Sequence, residues 1–452
     1  MVKYRLIRTF ILAIIIISFV CVFSSCGTDP TTPTASSTPA PGSTSTPSAI
    51  PTVAPDLTGN YAFTRNGQLW VALHGGAPVQ ATHFDYSGVI DGSMPVFFNH
   101  LLWFDNDTYL SFQVRILKGN VGGGGCGFNV NFGSPSALYV LNVKTMNLQA
   151  IKVAGDTSDD EVLIGGHWVY TFAEDATHLL AWLGSATGST AQAGLYRYDL
   201  TAGSFKLVIP ESSVPNANNP ESWSAMRYSH GKLYYETRVA TAGDDKYTFT
   251  IYSHSVINPE QASVKILDAG SELFCHGDLG PDQVSGQFVD PGWDVSADGT
   301  KLVAQTISGT DVKALQGKIQ LVNLINGTQS TIAQNVPPPI ANQDLKVSLS
   351  PDGKQLLLVQ FYANGDGHTF TAYSVNLVSG DHLNYTISPD GPYTNEITQI
   401  LWHQSSSAFV LDNSYLFTGY GSTPMQNDAQ LFTVGKADPS TLLANALNFS
   451  WG

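Results

Sequence analysis

A closed ring of seven four-stranded antiparallel sheets, all β, is what this 452-residue sequence predicts, and two recurring phrases carry the prediction. The first is Ser-x-Asp-Gly-x-x-Leu, present as Val295-Ser-Ala-Asp-Gly-Thr-Lys-Leu302 and Leu349-Ser-Pro-Asp-Gly-Lys-Gln-Leu356. The second follows about twenty residues later as an alternating strand that closes on Asn-Leu and a Gly turn, Ile319-Gln-Leu-Val-Asn-Leu-Ile-Asn-Gly327 and Ala372-Tyr-Ser-Val-Asn-Leu-Val-Ser-Gly380. Repetition at such a period marks a solenoid, propeller or array.

Asp-Gly between two apolar runs is a turn signal, because Gly accepts positive φ freely and Asp tolerates it. Each first phrase therefore joins two antiparallel strands, and the large apolar residue four places after the Asp begins the second of them. Weaker copies keep the pattern: Asp105-Asn-Asp-Thr-Tyr-Leu110, Glu174-Asp-Ala-Thr-His-Leu179, Ser229-His-Gly-Lys-Leu233 and Trp402-His-Gln-Ser-Ser-Ser-Ala-Phe409. Ser388-Pro-Asp-Gly391 follows an outer strand and reads as a loop. The second phrase recurs at Leu69–Gly76, Leu138–Val143, Leu195–Leu200 and Leu431–Gly435, each a third strand turning into a fourth. The anchors Tyr61, Leu110, Leu179, Leu233, Leu302, Leu356 and Phe409 count seven units, with six or eight as the alternatives.

A four-stranded sheet with two apolar faces cannot bury both alone, so such units pack face to face around an axis as the blades of a β-propeller. The first unit begins at its second strand, Asn60–Arg65, whereas Leu447-Asn-Phe-Ser-Trp451 reads as an innermost strand with no blade after it. The C-terminus is therefore expected to complete blade one and hide the open edges of the ring. A frayed tail is the other reading.

The Ser-x-Asp-Gly-x-x-Leu phrase, followed by the strand ending in Asn/Asp-Leu, resembles the WD40-like repeat of TolB-type propellers. The likeness is specific over Val295–Leu324 and Leu349–Leu377 and diffuse over the rest of residues 57–452. It implies the fold. Its usual six blades differ from the seven counted here, and the extra N-terminal domain of TolB has no counterpart.

Residues 1–26 read as a lipoprotein signal peptide. Lys3, Arg5 and Arg8 precede the apolar run Phe10–Phe23, which is short for a membrane span, and Ser24-Ser25-Cys26 places small residues before a Cys. Cys26 is then the acylated N-terminus, although Phe23 stands where a lipobox usually has Leu or Val; an uncleaved anchor and ordinary secretion are the alternatives. Residues 27–56 read as a disordered tether: Thr28–Pro55 is almost entirely Thr, Ser, Pro and Ala with one charge, Asp29, and cannot bury enough surface to fold. The expected address is the outer face of the cytoplasmic membrane, in the cell envelope, with the lipid anchor as the only membrane contact.

Without Lys3, Arg5 and Arg8 the chain carries 18 Lys and Arg against 36 Asp and Glu, near −18. That field repels nucleic acid and anionic headgroups. A monomer is expected.

Cys21 leaves with the signal, so Cys126 and Cys275 remain as an even pair in an oxidising compartment. Cys126 sits in Gly119–Ser136, a Gly-rich insertion between the second and third strands of blade two, and Cys275 in Gly270–Gly292, the crossing from blade four to blade five. Both connections leave on one face of a propeller, where ligands commonly bind at the channel mouth. A bond needs the Cα atoms within about 7 Å; two unpaired thiols are the alternative.

The same crossing carries Glu272, His276, Asp278, Asp282 and Asp290, with Asp294 following on an innermost strand. The spacing of His276 and Asp278 suits a metal or an acid–base step, and a solvated acidic loop explains it equally. Asp156–Glu161 and Asn364–His368 are acidic turns without the spacing of a calcium-binding EF-hand loop. Tyr415, Phe417 and Tyr420, in the 412–430 loop, suit sugar stacking or a partner anchor, with core capping as the alternative.

Nothing else in the sequence carries chemistry. Gly-x-Ser-x-Gly, His-Glu-x-x-His, phosphate-loop and Cys-x-x-Cys motifs are missing, as are sialidase Asp boxes and the repeated Trp motif of quinone-dependent propellers. No catalytic residue, metal or cofactor is expected. Two functions remain: a non-catalytic module binding a protein or glycan, or an envelope glycan hydrolase or lyase with carboxylates converging at the channel mouth. Cys126 and Cys275 are expected to resist alkylation in native, unreduced protein and to react after reduction; mass spectrometry finding both modified without reduction would exclude the bond.

Overall fold

Seven apolar seams hold this structure together. It is a computed structural model that describes residues 57, 59–84, 96–117, 122–124, 127–129, 132–151, 153, 171–183, 190–214, 226–240, 246–273, 292–308, 316–336, 343–364, 367–387, 396–414, 429–443 and 446–452.

Six blades are read from the axis outward in chain order. Blade two is Val96–Phe104, Tyr109–Leu117, Phe132–Asn142 and Asn147–Ile151; blade three is Thr171–Ala173, His178–Leu183, Gly194–Asp199 and Ser204–Pro210. Blade four is Met226–Ser229, Lys232–Ala240, Lys246–Ser255 and Val264–Leu273; blade five is Trp293–Val295, Lys301–Ser308, Gln316–Asn323 and Gln329–Val336. Blade six is Gln343–Leu349, Gln355–Asn364, Gly367–Asn376 and His382–Tyr385; blade seven is Glu396–Trp402, Ala408–Ser414, Ala429–Thr433 and Thr441–Leu443. Blade one is built from both ends of the domain. Leu447–Trp451 supplies its innermost strand, paired antiparallel with Tyr61–Arg65, and Gln68–Ala72 and Val79–Gln80 complete the sheet. The fold is a seven-bladed β-propeller.

The anchors read from sequence share one register. Leu110, Leu179, Leu302, Leu356, Phe409 and Tyr61 stand opposite Trp103, Ala173, Val295, Leu349, Trp402 and Trp451 of the innermost strands, and Leu233 stands opposite Tyr228. All seven are buried. The residue after each anchor points the other way, onto the next blade's anchor. Ala62 packs with Leu110, Leu180 with Leu233, Tyr234 with Leu302, Val303 with Leu356, Leu357 with Phe409, and Val410 with Tyr61. Six seams thus repeat one contact, and the seventh, between blades two and three, clusters Val140 with Leu179.

The Asp-Gly phrase folds as a five-residue loop, wider than a two-residue hairpin. Gly299 N–H donates to Ser296 O and Ser296 N–H to Lys301 O, while Gly353 and Ser350 repeat both bonds in blade six. Asp298 Oδ1 accepts from Ser296 Oγ at 2.6 Å and Thr300 N at 2.9 Å; Asp352 Oδ1 accepts from Ser350 Oγ at 2.7 Å and Lys354 N at 3.1 Å. Partial burial alone raises these carboxyls, but the hydrogen bonds outweigh it and hold both below the ordinary range. Gly299 has φ +65°, and a Cβ there would lie 3.0 Å from that of His230 in blade four. The loops also bond to one another around the ring. Ser229 Oγ donates to Ala297 O at 3.0 Å, Lys301 Nζ to Gly353 O at 2.6 Å, Asp352 N–H to Ser406 Oγ at 3.0 Å, and Asn60 Nδ2 to Asp107 Oδ2 at 3.2 Å.

Because strands alternate in direction, first-to-second and third-to-fourth turns leave at one end of the ring. Second-to-third connections and blade crossings leave at the other. The longest connections, 81–95, 118–131, 152–170, 211–225, 274–292 and 415–428, all belong to the second set. Two of them are shorter than the sequence suggests. The third strand of blade two already starts at Phe132, and the fourth of blade four runs on to Leu273.

Phe449 is fully buried, stacks on Tyr61 at 5.7 Å and meets Trp451 edge-on at 5.0 Å. Phe449→Ala is expected to cost about 3–5 kcal/mol in urea unfolding and to promote aggregation through the loosened edge of blade one.

Candidate functional site

The innermost strands line the channel, and one residue on each stands opposite the position after an anchor. Around the ring these are Ser450, Leu102, Phe172, Arg227, Asp294, Ser348 and Leu401. Four are apolar or small and bonded locally; the three adjacent members Arg227, Asp294 and Ser348 form a polar arc across blades four, five and six.

Asp294 is the hub of that arc. Its Oδ1 accepts from Arg227 Nε at 3.2 Å and from the Val295 N–H at 2.9 Å, and its Oδ2 accepts from the Leu349 N–H at 2.8 Å and Ser348 Oγ at 3.1 Å. The side chain is 14% exposed, and the Arg227 guanidinium, 42% exposed, lies 5.5 Å from the centre of the Trp293 ring. Both carboxylate oxygens are thus engaged by three neighbouring innermost strands. A carboxylate so held ties blades together. It is the middle residue of the three-residue strand Trp293–Val295, two residues before the Asp-Gly loop that begins at Ser296.

Of the other residues singled out from sequence, Cys26, Cys126, Cys275, His276, Asp278, Asp290 and Tyr420 lie outside the described residues, as do Asp282, Tyr415, Phe417 and the 156–161 turn. Glu272 belongs to the outer strand Val264–Leu273, opposite Tyr247, and not to the crossing. Asn364 pairs with Gly367, so that acidic segment closes the hairpin between the second and third strands of blade six.

Sequence reasoning missed Arg227 and Ser348, yet a signal was present. Both stand two residues before the Ser of their turn phrase, as Asp294 does before Ser296.

A second charged cluster lies in the turns of blade three. His178 Nδ1 is 2.9 Å from Asp175 Oδ2, His178 Nε2 is 4.0 Å from Asp199 Oδ2, and Arg197 pairs with Glu174. Partial burial pushes the Asp175 carboxyl up, but hydrogen bonds from Thr177 and His178 overcome this and bring it down to about 2. These contacts brace surface turns. Among the described residues no group of three His, Cys, Asp or Glu side chains is arranged to hold a metal ion, and no helix is long and apolar enough to cross a membrane.

No protein-family model and no curated protein matches the chain. Several solved structures are similar to it. Prolyl oligopeptidase B from Galerina marginata is 13% identical, with 88% of this chain and 51% of that one covered at a TM-score of 0.45. The β-propeller domain of the Trilobed protease from Pyrococcus furiosus is 9% identical, with 84% and 93% covered at 0.44. A TolB candidate from Agrobacterium tumefaciens is 12% identical, with 68% and 88% covered at 0.35. The chain spans about half the length of the oligopeptidase and 42% of a similar prolyl endopeptidase. The seven-bladed ring stands on its own strand order and register.

Asp294→Ala would strand the buried Leu349 N–H and is expected to cost about 1–3 kcal/mol. Arg227→Ala removes a partly exposed ion pair and is expected to cost under about 1 kcal/mol. Urea unfolding of both variants checks the order, and the reverse order would mark Arg227 as the structural member.

Proposed function

We propose that this chain is a lipid-tethered extracytoplasmic propeller that binds a protein or glycan of the cell envelope through the end bearing the long connections, without carrying out chemistry. The observation that supports this reading is the division of labour between the two ends. At the turn end, Ser229, Lys301 and Asp352 are committed to bonds between blades. At the other end the chain spends its longest connections, including 118–131, 274–292 and 415–428, which carry His276, Asp278, Asp290 and Tyr420.

Cys26 and the Thr/Ser/Pro-rich segment 27–56 complete the reading. A lipid on Cys26 holds the protein to the outer face of the membrane, and a proline-rich tether with few charges lets the propeller stand clear of it. A charge near −18 keeps a monomer soluble beside anionic headgroups and selects against nucleic acid.

The test replaces residues 118–131 of the full chain with the Asn66-Gly67 turn that makes the same connection in blade one. Arrays of envelope glycans and membrane-protein fractions are expected to show saturable binding by the parent and at least a tenfold loss in the variant, with an unchanged circular-dichroism melt. Release of cleaved glycan by the parent would overturn the non-catalytic reading.

A further inference from the structure

The seam between blades two and three breaks the rule that the other six follow. Position for position, the residue after the anchor is Leu180 at the seam between blades three and four and Leu357 between six and seven; here it is Ser111. On the facing innermost strand stand Phe449, Leu101, Met226, Trp293, Val347 and Ile400 at the other seams, and here Thr171. Three residues after the anchor stands Gln113, at a position that is polar in blades one, four, five and seven as well, as Thr64, Glu236, Gln305 and Asp412. Ser111 and Thr171 thus put hydroxyls at two positions that are apolar or aromatic at the other six seams.

Strand register turns all three into the same seam. Ser111 is paired with Val140 and Gln113 with Leu138, so each shares a sheet face with an apolar residue of the cluster between blades two and three. Thr171 is paired with Ala181, which belongs to that cluster from the other side. The burial is nearly complete: Ser111 is 0% exposed, Gln113 3% and Thr171 6%. Even so, Ser111 Oγ, Gln113 Oε1 and Thr171 Oγ1 have no hydrogen-bond partner among the described residues.

We propose that this seam is a built site for ordered water, bridging Gln113 Oε1 to the hydroxyls of Ser111 and Thr171. The chemistry selects the ligand. Gln113 Oε1 only accepts, so its partner must donate, which rules out an anion. No bond joins either hydroxyl to it. Water both donates and accepts, and three polar partners are the number typical of a buried structural water. An apolar ligand would leave all three oxygens unsatisfied.

The sign of the stability change distinguishes a hydrated seam from a dry one. Ser111→Ala, Thr171→Val and Gln113→Met each remove one partner with little change of shape. If water bridges them, each single variant of the full chain lowers the folded-to-unfolded ratio, by about fivefold, and the triple variant loses less than the product of the three. If the seam is dry, each single variant raises that ratio, and the proposal fails. A crystal structure of the full chain grown in rubidium chloride gives the second readout. Water density about 2.7–3.2 Å from Gln113 Oε1 and one hydroxyl is the expected result. A rubidium anomalous peak, or direct bonds among the three side chains, would overturn it.

Discussion

Ring closure is the constraint on which everything else here depends. Each blade has two apolar faces, and neither is buried until blades stand on both sides of it. That condition cannot be met at the ends of an open row, so the row must close. Closure falls to a five-residue strand, Leu447–Trp451, laid antiparallel against Tyr61–Arg65. The joint is held by side chains as well as by the ladder. Trp103 Nε1 donates to Ser450 O at 3.3 Å and Ser450 Oγ donates to Leu101 O at 3.0 Å, so the closing strand is tied to blade two as well as to its own sheet. The first and last strands of the ring thereby meet in one sheet, so blade one is complete only with the strand that follows blade seven.

Closure also explains why the repeat is so uneven in sequence and so even in space. What each blade must reproduce is an apolar anchor opposite the end of the innermost strand, and an apolar residue after it to meet the next anchor. Tyr61 and Phe409 satisfy the first requirement as well as Leu302 does. The turn before the anchor must only reverse the chain. Asp298 and Gly299 do so in blade five, His230 and Gly231 in blade four, and the positive-φ run Asp105–Asp107 in blade two. Turn chemistry tolerates this variety because several residue types reach the same backbone conformation.

The fold was therefore legible from local signals: the Asp-Gly phrases, the alternating strands ending in Asn-Leu, and the unpaired C-terminal strand. The polar arc was only half legible. Asp294 was visible as a carboxylate on an innermost strand, but its partners Arg227 and Ser348 lie 67 and 54 residues away in the chain. Only the register of the blades makes them neighbours. For the same reason Ser111, Gln113 and Thr171 look like ordinary strand residues, since alternation shows which side chains share a face and not what that face meets. Asp294 is the middle residue of the three-residue innermost strand Trp293–Val295, two residues from Gly292 on one side and two from Ser296 on the other.

The two ends of the ring also differ in what substitution costs them. At the turn end, a change at Ser229, Lys301 or Ser406 breaks a bond to the neighbouring blade, so its effect spreads to a seam. A binding surface there would need residues that the ring already uses. At the other end the same connection is made by two residues, Asn66 and Gly67, in blade one and by fourteen, 118–131, in blade two. Since two residues suffice to close the hairpin, closure of the sheet does not account for the extra twelve. Loop-closure entropy grows only slowly with length, so such insertions add little thermodynamic cost. The length of that connection is therefore set by something other than the closing of its own sheet.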